Sequence, residues 1–379
     1  MLVDPGLFTA PYDAALSAGL TANGLKPRWL TRGLRPGEED DLGVAPRPQF
    51  YRNTDGMRRR SGRLWQIAKG IEHGLGLLEM VGLIRTLPVD IVHLQWAMLP
   101  LLDSIAIPRL RRYCPVVMTV HDTTPFNGKA VNPLQRYGFD RVLHAVDRLI
   151  VHTAEGRAAL IAQGLDPARI AVIPHGLLSP AAVPATATTG ATWRVVQFGK
   201  LQDYKGADVL IEALGQLDPA ARARLSVVLA GEPLIDPAPL LARAAALGLQ
   251  PPTLEFRLHR HSKAAMEALL ASADAFVFPY RAIEASGVLY DVAPRRRWIV
   301  ASDLGAFREL IGDTDDAGTL VPPGDARALA AALAASIGRR PTRDISAAVP
   351  SWTEIGAMTL QAYEQATLAW HRYGPGAMH

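Results

Sequence analysis

Cysteine is nearly absent from this chain, with one in 379 residues. A lone thiol closes no intramolecular disulfide and builds no Cys-rich zinc site, so both kinds of scaffold are excluded. It fits a reducing compartment. No run approaches the roughly 18 uninterrupted apolar residues of a membrane span. The opening Met1-Leu2-Val3-Asp4-Pro5 has neither the basic region nor the apolar core of a signal peptide, and a cytoplasmic protein is expected. Neither sign of charge dominates: 40 basic against 36 acidic residues leave +4, which admits an anionic partner and gives no case for nucleic acid. The 32 glycines and 29 prolines follow no period, which excludes a collagen-like chain. Apolar material is plentiful at 49%, enough for packed cores. At about 150 residues per domain, the length points to two domains.

Short apolar runs alternate with amphipathic stretches. Residues 91–96, 116–120, 149–151 and 170–173 read as strands, with a helix over 154–163 closed by Gly164. Residues 178–192 are mostly Ala, Thr, Pro and Ser without charge, which predicts a linker. A second series follows, with strands at 195–198, 225–230, 254–256, 275–278 and 298–301 and helices at 207–217, 239–247 and 262–273. This βα order predicts an α/β protein of two Rossmann-like domains with an interdomain cleft. The expected division is 1–177, the linker 178–192, 193–351, and a terminal amphipathic helix in 352–379. Ligands of such sheets sit beyond the carboxyl ends of strands, so the residues just past each strand matter most.

Gly199-Lys200 follows a strand directly, and Lys205-Gly206 opens the next helix. Two lysines flanking a glycine turn at a helix N-terminus suit one phosphate group; solvated lysines around a turn are the plainer reading. Past the strand at 275–278, Glu284, Ser286 and Gly287 lie in a turn and Asp291 on the helix it opens. Two carboxylates so spaced suit a vicinal diol, as in sugars and ribose, or form an ordinary helix cap with an exposed acid.

These stretches, with Ser302-Asp303-Leu304-Gly305, Glu309 and Gly318 to Asp325, resemble the nucleotide-sugar half of the group 1 retaining glycosyltransferases, of GT-B architecture. Upstream, His121-Asp122 resembles the family's sugar-contacting histidine, Pro174-His175-Gly176 its entry to the linker, and Asp4-Pro5 through Tyr12-Asp13 a first loop of one bacterial branch. The resemblance implies an acceptor-binding N-terminal domain, a donor-binding C-terminal domain, a terminal helix crossing back, and a metal-independent reaction without a cofactor. The donor is a nucleotide-sugar, UDP- or GDP-linked, and the acceptor a glycan or lipid-linked glycan. Lys200 and Lys205 would bind the diphosphate, with Lys200 where Arg is commoner. Gly199, Ser286, Gly287, Val288 and Leu289 would line the donor, Asp291 would hold the ribose, and Glu284 stands near the family's first acidic position, one residue closer to its partner than usual. Arg260 would lie beside the base. His121 would orient the sugar, and Tyr12, His93, Gln95 and Asp122 would meet the acceptor, His93 and Gln95 being equally readable as a satisfied core pair. A nucleotide-sugar epimerase, a transferase for a small metabolite and a non-catalytic binding module stay open.

Three patterns are set aside. Asp313-Thr314-Asp315 spells a metal-binding Asp-x-Asp but follows a helix and its Gly stop, as a solvated turn does. His259 and His261 flank Arg260 with too few ligands for zinc. Cys114 reads as a small buried apolar group. Residues 52–69 carry Arg52, Arg58, Arg59, Arg60, Arg63 and Lys69 against one acid, Asp55, with Trp65 and Ile67 interleaved. They read either as a basic segment in peripheral contact with an anionic membrane, at the inner face of the cell membrane, or as a helix whose apolar side is core.

Overall fold

The computed structural model describes residues 1–34, 46–56, 62–123, 133–178, 192–283 and 286–374. The chain divides into two compact units: Met1–Gly176 with Pro350–His379, and Leu177–Val349.

Among the described residues, the first unit has seven parallel strands: β1 (Leu2–Asp4), β2 (Trp29–Arg32), β3 (Arg47–Phe50), β4 (Val92–Leu94), β5 (Val116–Thr119), β6 (Arg148–Val151) and β7 (Ile170–Val172), in the order β3-β2-β1-β4-β5-β6-β7. The second has six: β8 (Trp193–Phe198), β9 (Leu225–Ala230), β10 (Leu254–Arg257), β11 (Ala275–Phe278), β12 (Trp298–Ser302) and β13 (Gly318–Val321), ordered β10-β9-β8-β11-β12-β13. Each sheet runs outward from its first strand and then reverses, so each is Rossmann-like with a switch point, β1/β4 in one and β8/β11 in the other. Strands such as Leu225–Ala230 are buried throughout because helices cover both faces of a parallel sheet. Strands β2 and β3 fall where the sequence shows no clear alternation, and both are short.

The helix Trp352–Tyr373 starts at a capping box, in which the Ser351 side chain accepts from the Glu354 N–H and Glu354 accepts from the Ser351 N–H. It packs in the first unit against the helix Ala10–Ala22. The two backbones nearly touch there: a Cβ on Gly19 would overlap the Trp352 carbonyl, and one on Gly356 the Gly19 carbonyl. Asn23 Nδ2 closes the crossing by donating to Gly19 O and Thr353 O, both at 2.8 Å.

Candidate active site

In the second unit the chain turns at Gly199, immediately past β8, with φ +128°. A Cβ there would lie 2.5 Å from Lys205 Nζ and 3.4 Å from Val288 Cγ2, so glycine lets a lysine and the turn after β11 converge on this backbone. Gly206, at φ +64°, caps the helix Ala207–Gln216, and a Cβ on it would overlap the Pro279 carbonyl. Lys205 is only 8% exposed, and burial lowers the pKa of its ammonium. Its ammonium sits 5.4 Å from the centre of the Tyr280 ring and has no ion pair to an acidic side chain among the described residues. The nearest candidate on the following helix, Asp208, is held by Arg281 at 2.5 Å. A buried cation with no carboxylate partner among the described residues, at the N-terminal end of a helix, suits an anion by charge. The surface loop expected for both lysines therefore holds only for Lys200, which is exposed.

Ser286 is buried beside the Tyr280 hydroxyl, and Gly287 begins the helix Gly287–Val292, with Leu289 buried under it. Asp291 lies on that helix; burial raises its carboxyl to about 6, Arg295 opposes this, and Glu267 adds to it. Arg295 itself pairs with Glu267 at 2.7 Å. Arg260 is exposed between His259 and His261, whose ring centres lie 4.2 Å apart, with His261 6.1 Å from the Phe198 ring. Glu284 lies outside the described residues. Asp315 of the Asp-x-Asp stretch is taken by Arg339 at 2.7 Å.

The first unit builds a different centre. Tyr12 is buried, with the rings of His121, His152, His175 and Trp352 between 5.0 and 5.3 Å away. His121 is partly exposed. Its Nδ1 lies 3.2 Å from His152 Nε2, its Nε2 lies 3.2 Å from Gln95 Oε1, and Trp96 stacks on its ring at 4.9 Å. Desolvation holds these histidines neutral: His121 titrates well below the usual range, His152 at about 4, His93 and His175 at about 3. His93 bonds Tyr363 Oη at 2.8 Å and Thr119 Oγ1 at 2.7 Å. His93 and Gln95 are fully buried and Tyr12 is 4% exposed, so these strand ends turned inward give an acceptor no direct access in this conformation, whereas His121 is partly exposed. Asp122, next to it, is half-buried. Asp4 and Asp13 are buried too, each 3.4 Å from Thr9 Oγ1, and burial raises both carboxyls.

His152 escaped the sequence reading. The signal was present: histidines follow the ends of three adjacent strands, β5, β6 and β7, at positions 121, 152 and 175.

Arg58, Arg59 and Arg60 lie outside the described residues. Trp65 Nε1 donates to Thr54 O at 3.2 Å, and the Lys69 ammonium sits over the Tyr51 and Trp65 rings, so Trp65 and Lys69 face the protein. The helix Arg63–Thr86 instead exposes Leu64, Ile67, Ile71, Leu75 and Leu78 by 54 to 84%. Steps of three and four residues put all five on one face. Leu102 and Ile105 of the adjoining helix Pro100–Leu110 are exposed as well. Arg63, Arg85, Arg109 and Arg112 are exposed on the same two segments, while Glu79 is paired with Arg52 at 2.8 Å. Among the described residues no helix is long and apolar enough to cross a membrane, and no group of three or more His, Cys, Asp or Glu is placed to hold a metal ion.

Comparison with known proteins gives this geometry a family. Residues 193–338 match the model for glycosyl transferases group 1, and residues 14–177 that for glycosyltransferase family 4. A D-inositol 3-phosphate glycosyltransferase of Kineococcus radiotolerans is 28% identical over 277 residues, which is 63% of this chain and 62% of that protein. The match thus spans less than two thirds of that relative's length. Among solved structures, Anabaena HepE in complex with UDP and glucose is 18% identical, with a TM-score of 0.66 over 98% of each chain. WaaG, a glycosyltransferase involved in lipopolysaccharide biosynthesis, is 17% identical, with a TM-score of 0.63 over 99% of this chain and 100% of its own. Both share the fold. With the two models covering both units, the chain belongs to the group 1 glycosyltransferases.

Proposed function

We propose that the protein is a retaining glycosyltransferase that moves a sugar from a UDP- or GDP-linked donor to a hydroxyl of a glycan or lipid-linked glycan in bacterial polysaccharide assembly. The observation that carries this reading is Lys205, a buried ammonium with no carboxylate partner among the described residues, at a glycine-floored turn. A diphosphate supplies the missing counter-charge, and the charge that grows on it as it leaves is what Lys205 and Lys200 stabilise. Asp291 accepts from the ribose hydroxyls, Arg260 borders the base, and the backbone after Ser286 meets the sugar. His121 orients the transferred sugar. The acceptor hydroxyl attacks from the face that the diphosphate leaves. The reaction is metal-independent in this reading: Asp315 of the Asp-x-Asp stretch is paired with Arg339, and EDTA is expected to leave turnover within about two-fold.

The apolar face of the helix Arg63–Thr86, flanked by arginines, supports a peripheral seat on an anionic leaflet at the inner face of the cell membrane, where a lipid-linked acceptor resides. A small soluble acceptor is the second reading, favoured by the inositol phosphate named for the Kineococcus relative.

A thermal-shift panel of UDP, GDP, TDP and ADP sugars tests the donor, since a ligand of the folded state raises its melting temperature by mass action. One nucleotide class should stabilise the protein and the others should not. Incubating that donor alone separates transfer from epimerisation: accumulation of an isomeric nucleotide-sugar overturns the proposal. Product with an inverted anomeric bond overturns its stereochemistry.

A further inference from the structure

At the carboxyl end of β1 two acids face too few hydrogen-bond donors for both to be ionised. Asp4, the last residue of β1, and Asp13, on the helix Ala10–Ala22, are fully buried. Among the described residues neither carboxylate has an ion pair. Asp4 has donors of its own: Gly6 N–H donates to Oδ1 at 3.0 Å and Thr9 N–H to Oδ2 at 3.3 Å. Asp13 is poorer. Its Oδ1 lies 3.4 Å from the Thr9 hydroxyl, which is equally 3.4 Å from Asp4 Oδ2 and has one hydrogen to give. Its Oδ2 is buried with no hydrogen-bond partner. The Thr9 oxygen is engaged on its other side, where Trp96 Nε1 donates to it at 3.1 Å. A buried charge without a counter-ion or a full set of donors is far costlier than a buried neutral acid. Two adjacent carboxyls escape that cost by keeping one proton between them.

We propose that Asp4 and Asp13 share one proton at neutral pH, carried by Asp13 and given to Asp4, and that this acid pair pins the loop 5–9 and, through Thr9, Trp96. Asp4 is then the ionised member, with the backbone donors, and Asp13 the neutral one. Burial raises both carboxyls, and the charge of Asp4 and the hydrogen bond to it raise Asp13 further. The other titratable groups around the pair are committed elsewhere. Tyr12 faces the neutral rings of His121, His152 and His175. Arg32 of β2 donates to Gly6 O at 3.0 Å and lies 3.5 Å from Asp55, and burial holds Tyr51, past β3, un-ionised. Trp96 in turn stacks on His121 at 4.9 Å, so one proton stands behind the placement of the ring that covers this histidine. None of this depends on what His121 binds.

Carbon-13 spectra of the aspartate carboxyls, assigned through the backbone, test the pair directly. At pH 7.5 Asp13 is expected to show the shift of a protonated acid and Asp4 that of a carboxylate. Two ionised carboxylates overturn the proposal. Stability gives a second readout. Asn has the shape of a protonated Asp and donates as one does. The unmodified chain, unlike Asp13→Asn, must retain a proton that its unfolded form releases as pH rises. The advantage of Asp13→Asn in melting temperature is therefore expected to widen between about pH 5 and 8. A gap that stays constant overturns the shared proton. Asp4→Asn turns an amide toward N–H donors and should melt lower than Asp13→Asn by about 4 °C or more at pH 7.5; the reverse ranking overturns the assignment of the proton to Asp13. The indole N–H resonance of Trp96 should hold its place in Asp13→Asn and move in Asp13→Val, which has no proton to give. A signal unmoved in both overturns the link to Trp96. Should a variant fail to fold, the carboxyl spectra of the unmodified protein decide.

Discussion

The two units share a sheet topology and differ in how they build chemistry at its switch point. The second unit works with charge on short turns: Gly199, Lys205, Gly206 and Val288 come from two loops, and a lysine is buried with no carboxylate partner among the described residues. The first works with neutral rings, gathered from the ends of strands β4 to β7 and from the helices Ala10–Ala22 and Trp352–Tyr373. One site is poised for an anion. The other keeps its buried rings neutral. The two units therefore titrate differently.

The largest test of that contrast is Lys205. Lys205→Met keeps the stem and removes the charge; steady-state kinetics should show turnover reduced by about a hundred- to a thousand-fold, as for loss of roughly 3–4 kcal/mol of charge stabilisation. The exposed Lys200, changed to Ala, should cost only about ten-fold, since solvent screens it. Equal losses would break the distinction between a buried clamp and its exposed companion.

Acid should act unequally on the units. Unfolded histidines protonate near pH 6.5, whereas His121, His152, His93 and His175 stay neutral in the fold to far lower pH. Their contribution is whole above that pH and is lost as pH falls, at up to about 1.4 kcal/mol per pH unit for each ring. Asp4 and Asp13, with raised pKa values, work in the opposite sense but are outnumbered. In the second unit Asp291, at about 6, binds a proton more readily folded than unfolded, so its contribution is present at low pH and lost as pH rises through that value. Hydrogen exchange followed by mass spectrometry between pH 7 and 4.5 should show the first unit losing protection before the second. Simultaneous loss would contradict the contrast.

The exposed stripe sharpens it further, because among the described residues only the first unit carries one. Ile71→Asp should reduce co-sedimentation with anionic vesicles by at least ten-fold, a buried isoleucine being worth about 1.5–3 kcal/mol, and leave donor binding unchanged. Unmodified protein that ignores such vesicles at low salt favours the soluble acceptor. The smallest effect is expected at Asp291. Donor affinity should rise with pH through about 6 as its carboxylate ionises, and Asp291→Asn should flatten that rise. An unaltered pH profile in the Asn variant removes Asp291 from the ribose.

The same contrast decides what was legible in the sequence. Strands β8, β9, β11 and β12, the Gly199–Lys205 turn and the family follow from local runs and close spacings. The burial of Lys205 does not, since it depends on the loop after β11 crossing Gly206. His152 and Tyr363 stayed hidden because their partners lie 31 and 270 residues away in the chain. Strands β2 and β3 are too short to show a period. The direction in which Trp65 faces stayed open because a helical spacing does not say which of two apolar faces meets the protein.

The glycine crossing between Ala10–Ala22 and Trp352–Tyr373 has a consequence for how the chain is made. The second unit is one continuous segment, Leu177–Val349, and its contacts are all available once that segment has left the ribosome. The first unit is not: its Tyr12 cluster needs Trp352, and His93 needs Tyr363. Synthesis therefore holds the earlier-made unit open, with a groove along the first helix unfilled, until the later-made unit has emerged. That interval is a window for aggregation or chaperone capture that the order of domains alone would not suggest. A bulkier residue at Gly19 or Gly356 would prolong it, acting first on the yield of folded protein.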